Sequence, residues 1–156
     1  MSHALESFHR RTSDETEVDT TTHEQRLREI LESVPEEHRD WVRQELNFSN
    51  ELSLRNRLNQ LISEFPYVLQ NFENDQRNFV RFIVDTRNYL THYSNRTGRA
   101  NIQDLERLHD ICQRMELLIE ANLLSRLGFN AETIQRFINN AKRLKGIRDS
   151  PQNTPN

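Results

Sequence analysis

Phe79-Val80-Arg81-Phe82-Ile83-Val84 puts five bulky apolar side chains into six positions of an otherwise strongly polar chain. With Phe72 before them and Leu90 after, they cover more than one side of a helix expected from about Phe72 to Tyr93. A helix apolar around most of its circumference is buried, inside a bundle or between subunits. The rest of the chain must therefore supply surfaces to pack against it. With 34% hydrophobic and 29% charged residues, 3 Gly and 4 Pro in 156 positions, those surfaces are expected to be amphipathic helices around a modest core.

The helices are legible by period and punctuation. Leu5 and Phe8 mark an opening helix at Ala4 to Arg11 with no clear cap before it, which suggests a piece of a longer polypeptide. Thr12 to Thr22 is acidic and threonine-rich and reads as an exposed insert loop. Thr22 with Gln25 resembles a capping box for a helix whose apolar face is Leu27, Ile30, Leu31 and Val34. Pro35 suits the first turn of a short helix carrying Trp41, Val42 and Leu46, and Asn47 to Asn50 reads as a turn. Leu54, Leu58, Leu61, Ile62 and Phe65 mark a further helix that Pro66 ends or kinks.

Beyond the break at Asn95 to Asn101, a long helix is expected from Ile102 to Leu127, striped by Leu105, Leu108, Cys112, Met115 and Ile119. Gly128 stops it, Asn130 caps a last helix with Ile134, Phe137, Ile138, Ala141 and Leu144, and Gly146 ends that one. No strand pattern intervenes. The expectation is an all-α bundle: one domain over residues 1–147, with 12–22 as a polar insert and 148–156 as a disordered tail.

The net charge of -3 means that any affinity for nucleic acid must come from a local patch. Lys142 and Lys145 are the only lysines, so the cations are almost all arginine, whose planar fork suits phosphate and carboxylate alike. The single cysteine, Cys112, excludes an internal disulfide and fits a reducing, cytoplasmic setting. The apolar runs fall far short of the roughly 20 residues of a membrane span.

The chemistry-bearing stretch is T-R-N-Y-L-T-H-Y-S, Thr86 to Ser94. Asn88 and His92 are at i and i+4 and share a helix face, with Asp85 one turn earlier. Arg87 lies five before His92, about 140° away on an ideal helix. The two converge only if the helix unwinds near His92 or a second copy supplies the partner. Arg, Asn and His together suit metal-free cleavage of RNA. Histidine moves protons near neutral pH, arginine neutralises a phosphorane-like transition state, and an amide orients either. The structural alternative has His92 at the negative end of a helix and Arg87 paired with Asp85 or Glu73.

R-N-Y-L-T-H fits the R-x4-6-H signature of HEPN domains. Taken with A-L-E-S-F-H-R-R and L-S-L-R-N-R-L-N-Q-L-I, the chain resembles the Apea-like HEPN group over most of its length. That resemblance implies a helical bundle forming a homodimer through facing motif helices. It also implies a metal-independent endoribonuclease, without cofactor, that leaves a cyclic phosphate. Arg87, Asn88 and His92 take the motif roles. Members often form the C-terminal part of larger prokaryotic defence proteins, so an upstream sensor domain and a toxic antiphage role are expected, with no membrane partner. A non-catalytic dimerisation, RNA-binding or sensor module is the alternative.

Arg96 and Arg99 could hold flanking phosphates, or simply be solvated. Tyr89 and Tyr93 could stack on bases, or pack at an interface. His109 and Cys112 form half of a zinc pattern without a second pair, and read as rim and core. His38-Arg39-Asp40 reads as a charged helix turn. His9 and Arg10 are expected to pack locally against the motif helix.

Overall fold

A computed structural model describes residues 1–69, 75–92, 103–144 and 146. The fold is all-α: α1 (Ser2–Thr12), α2 (Thr20–Ser33), α3 (Glu36–Glu45), α4 (Leu54–Glu64), a 3-10 turn (Pro66–Leu69), α5 (Asp75–His92), α6 (Leu105–Arg126) and α7 (Ala131–Leu144). No helix among the described residues is long and apolar enough to cross a membrane. The 148–156 tail lies outside the described residues. The chain divides into two compact units, residues 1–10 with 54–156, and residues 11–53.

The first unit holds the core. Leu58, Leu61 and Ile62 of α4 meet Phe79, Val80, Phe82 and Ile83 of α5. Ile111, Leu117 and Leu118 of α6, Ile134 and Ile138 of α7, and Leu5 of α1 complete it. The burial of α5 is narrower than its composition suggests. Phe79, Val80, Phe82, Ile83 and Thr86 are buried, but Arg81 is exposed and Asp85 and Asn88 are only half-buried. On a helical wheel the buried positions span an arc of about 160°, which leaves one long side of the helix open.

The helix ends follow local chemistry. Asp104 accepts from the Arg107 amide and caps α6, and Asn130 does the same for α7 through the Thr133 amide. At the far end of α6, Gly128 takes φ +89°. Its amide donates to the Ser125 carbonyl, and that of Phe129 to the Leu124 carbonyl, so two otherwise orphaned carbonyls are satisfied. Pro66 ends α4 and opens the 3-10 turn.

The second unit is a pair of helices, α2 and α3, with little buried surface. Leu27, Leu31 and Val34 are half-buried, while Ile30, Trp41 and Phe48 are exposed. The expected loop at 12–22 is shorter and better tied. Helix α2 begins at Thr20, and its cap is Asp19, not Thr22. The Asp19 carboxylate accepts from the Thr22 amide at 2.9 Å. Hydrogen bonds from the Thr22 side chain and then its amide hold the Asp19 pKa below its ordinary value. Asn50 closes the unit from the other side. Its amide donates to the Val18 carbonyl and accepts from the Val18 amide, and Thr16 pairs with Glu51 in an isolated antiparallel bridge.

Cations clamp the turn that precedes α5. The Arg114 guanidinium is 2% exposed and grips both Asp110 oxygens at 3.2 and 3.0 Å. Its Nη1 also donates to the Val68 carbonyl at 3.3 Å. Lys142 Nζ donates to the neighbouring Tyr67 carbonyl at 2.7 Å. Burial pushes the Tyr67 hydroxyl pKa up, and that hydroxyl has no partner among the described residues. Replacing Arg114 would strand a carbonyl and open a void. Arg114→Ala is expected to cost about 3 kcal/mol in urea unfolding, at the low end for buried pairs because Asp110 keeps solvent access. A loss well under 1 kcal/mol would show the clamp contributes little.

Candidate functional site

Helix α5 stays α-helical through His92. Thr91 Oγ1 donates to the Arg87 carbonyl at 2.8 Å, within the same regular turn. The helix does not unwind up to His92, the residues just after it lie outside the described ones, and the backbone directions of Arg87 and His92 remain about 140° apart. Arg87 leaves the helix on the side of Ile83 and Thr86. Asn88 and His92 leave it on the open side, with Arg81 and Asp85.

One contact bends this separation. Arg87 Nη1 donates to Asn88 Oδ1 at 3.3 Å, drawing the guanidinium round towards the open side. Arg87 and Asn88 are half-buried, and His92 is exposed in the last turn. Asp85 is taken by Arg81 at 3.5 Å, so the considered Arg87–Asp85 pair gives way to an i,i+4 pair along the open face. Glu73 lies outside the described residues.

Behind Arg87 lies a cavity of about 150 Å³ between α5, α6 and the start of α1. Phe82, Leu90, Leu108 and Met115 give it apolar walls, and Cys112 opens onto it. Thr86 and Arg87 also line it. Thr86 is 7% exposed, and its Oγ1 is buried with no hydrogen-bond partner among the described residues. The Arg87 Nε is in the same state. At the wall, the Arg107 guanidinium sits 5.0 Å from the Phe82 ring centroid, a cation–π contact.

Sequence reasoning missed Thr86, Arg107 and the exposure of Cys112 to a cavity. The available signal was the Leu108, Cys112, Met115 stripe, which had to face the same side of α5 that Arg87 interrupts. Tyr89 is half-buried, and Tyr93, Arg96 and Arg99 lie outside the described residues. His109 is exposed, as a rim residue would be, but Cys112 is only half-buried and not core. His9 is buried and bonds to α4. Its ring accepts at Nδ1 from Arg57 (3.2 Å) and meets Gln60 Oε1 with Nε2 (2.6 Å), which sets the tautomer with the proton on Nε2. Arg10 pairs with Glu6 at 3.3 Å and Asp40 with Arg43 at 2.9 Å, both exposed helix pairs.

A profile of the Apea-like HEPN family matches residues 1–133. That span takes in α1 through α6, and so both the α5 motif and the cavity. No curated protein and no solved structure matches the chain.

An unpartnered buried hydroxyl costs stability that an isosteric methyl does not. Thr86→Val is thus expected to raise the folded state's stability, by about 1 kcal/mol, in urea unfolding. A drop of that size would mean the hydroxyl has a partner in the folded protein.

Proposed function

The chain belongs to the Apea-like HEPN family, and on that premise we propose that it is an RNA endonuclease that works as a homodimer without a metal. The family points to ribonuclease chemistry in general. The observation that carries the finer reading is the hydrogen bond from Arg87 to Asn88. It turns a guanidinium from the inner side of α5 towards the open face that Asn88 and His92 share.

A regular helix does not bring Arg87 and His92 of one chain together, so the site is composite. Arg87 of one copy meets His92 of the other around one phosphodiester, and two-fold symmetry makes two such arrangements. The 2′-oxygen of the RNA attacks phosphorus as the imidazole takes its proton. The bond to the 5′-oxygen breaks, and that oxygen takes a proton from water. The products are a 2′,3′-cyclic phosphate and a 5′-hydroxyl. Arg87 neutralises charge on the pentacoordinate oxygens, and Asn88 holds that guanidinium in place. DNA lacks the nucleophile. Arg96, Arg99 and Tyr93 stay in the proposal as contacts to flanking phosphates and bases. The biological setting is that of a toxic effector, joined to an upstream sensor domain in an antiphage protein.

Wild type incubated with total RNA in EDTA is expected to cleave it, while Arg87→Ala and His92→Ala are both silent. Mixing the two silent variants is then expected to restore about one quarter of wild-type activity, since half the dimers are mixed and each carries one intact arrangement. Restoration near zero with stable mixed dimers would sink the composite site. A silent wild type that still dimerises, and is harmless when expressed, would favour the non-catalytic sensor or dimerisation module.

A further inference from the structure

We propose that the exposed apolar face between the end of α6 and α7 docks a second copy of this chain, with the acidic edge of one copy set against the basic edge of the other. The proposal is independent of the ribonuclease reading, and it concerns a different surface from the open side of α5.

Helix α6 turns Leu117, Leu118 and Ala121 into the core, and α7 turns Ile134 and Ile138. Leucines remain on the other side of α6. Leu123 and Leu127 lie one turn apart there and are 46% and 74% exposed. Phe137 of α7 and Phe129 of the connecting loop are 50% and 44% exposed. These side chains form one patch. Leu123, Leu124, Phe137, Ile138 and Ala141 line the same shallow groove. The Phe129 and Phe137 rings meet edge to face, with centroids 6.2 Å apart. Each ring steadies the other, so little freedom is lost when a partner settles on them. Single exposed apolar side chains are ordinary, but four large ones side by side mark an interaction surface.

The charges beside the patch point to its occupant. On a helical wheel Glu116 and Glu120 continue the stripe of Leu123 and Leu127 along α6. Arg136 and Arg143, both exposed, run along the solvent side of α7 next to Phe137, with Glu132 alone at the start of that row. One long edge of the groove is thus acidic and the other basic. A two-fold axis along the groove lays each edge against the opposite edge of the second copy. Acid then meets arginine twice, while leucines and phenylalanines close over one another. Nucleic acid or an anionic membrane would gain at the α7 edge and lose at the α6 edge. The ten residues after Gly146 hold one aliphatic side chain, Ile147, too few to cover the patch. The groove beside Arg87 draws on the first half of α6, from Leu108 to Met115, so both faces can be occupied together. The family match ends at residue 133, short of most of α7, so this face lies largely outside what the family describes.

The mass of the intact chain is measured by light scattering and sedimentation from low to high micromolar concentration. Wild type is expected to reach at least twice the mass of Leu127→Glu and of Phe137→Glu at the same high concentration. Both positions are exposed, so circular dichroism is expected to show both variants folded. Glu120→Arg and Arg136→Glu are each expected to weaken the association several-fold at low salt, and the double reversal to restore it. A wild type that stays monomeric, or that keeps the mass of both folded variants, would overturn the proposal. So would unfolding of both variants, because the patch would then belong to the core of the single chain. Reversal without rescue would overturn the pairing of edges. Anionic vesicles that sediment wild type but not Phe137→Glu would make a membrane the occupant instead. No RNA enters these measurements, so their failure is separate from failure of the nuclease reading.

Discussion

A helix that is buried along one side and open along the other places unlike chemistry on its two faces. In α5 the buried side is set by Phe79, Val80, Phe82 and Ile83, which α4 and α6 enclose. Everything near the functional site follows from that orientation. Arg87 continues the buried row at a position where the pattern asks for an aliphatic side chain. It cannot simply be solvated there, and its long apolar stem lies along the core while its head finds an exit. The exit is the Asn88 amide, while Nε stays buried without a partner among the described residues. Asn88 and His92, about 100° and 140° round the helix, have no such constraint.

Regularity is the second constraint. Five residue steps of unbroken helix lead from Arg87 to His92, a rise of about 7.5 Å as well as a turn of about 140°. The hydrogen bond to Asn88 recovers part of the turn but none of the rise. In the proposed homodimer a second copy would approach from the open side, and two-fold symmetry would lay the start of one motif beside the end of the other. The open side also carries the Arg81–Asp85 ion pair.

The sequence reveals most of what periodicity controls. The helices around the core, the stop at Gly128, the cap at Asn130 and the break at Pro66 all follow from side-chain period and turn chemistry acting within a few residues. What it conceals depends on partners far along the chain. Asp19 and Thr22 are both good caps, and only the start of α2 decides between them. The insert before α2 looks like free loop until Asn50, some 32 residues on, bonds to both backbone groups of Val18. Arg114 reads as one more polar position in a long helix, yet it is almost fully buried and holds the Val68 carbonyl 46 residues away. In the site, Arg87, Asn88 and His92 stand out by type and spacing. Thr86 does not, because what marks it is a buried hydroxyl with no partner among the described residues, and a missing partner leaves no trace in a pattern of letters.

That lack of partners bears on stability. Among the described residues, the buried Thr86 hydroxyl and the buried Arg87 Nε have no hydrogen-bond partner, and each weakens the folded state where valine and an aliphatic chain would strengthen it. Both lie on the side of α5 that its neighbours enclose, so the cost arises from packing and not from the open face. What Arg87 gives in return is a charge that an aliphatic side chain lacks, brought to the Asn88 amide beside that face.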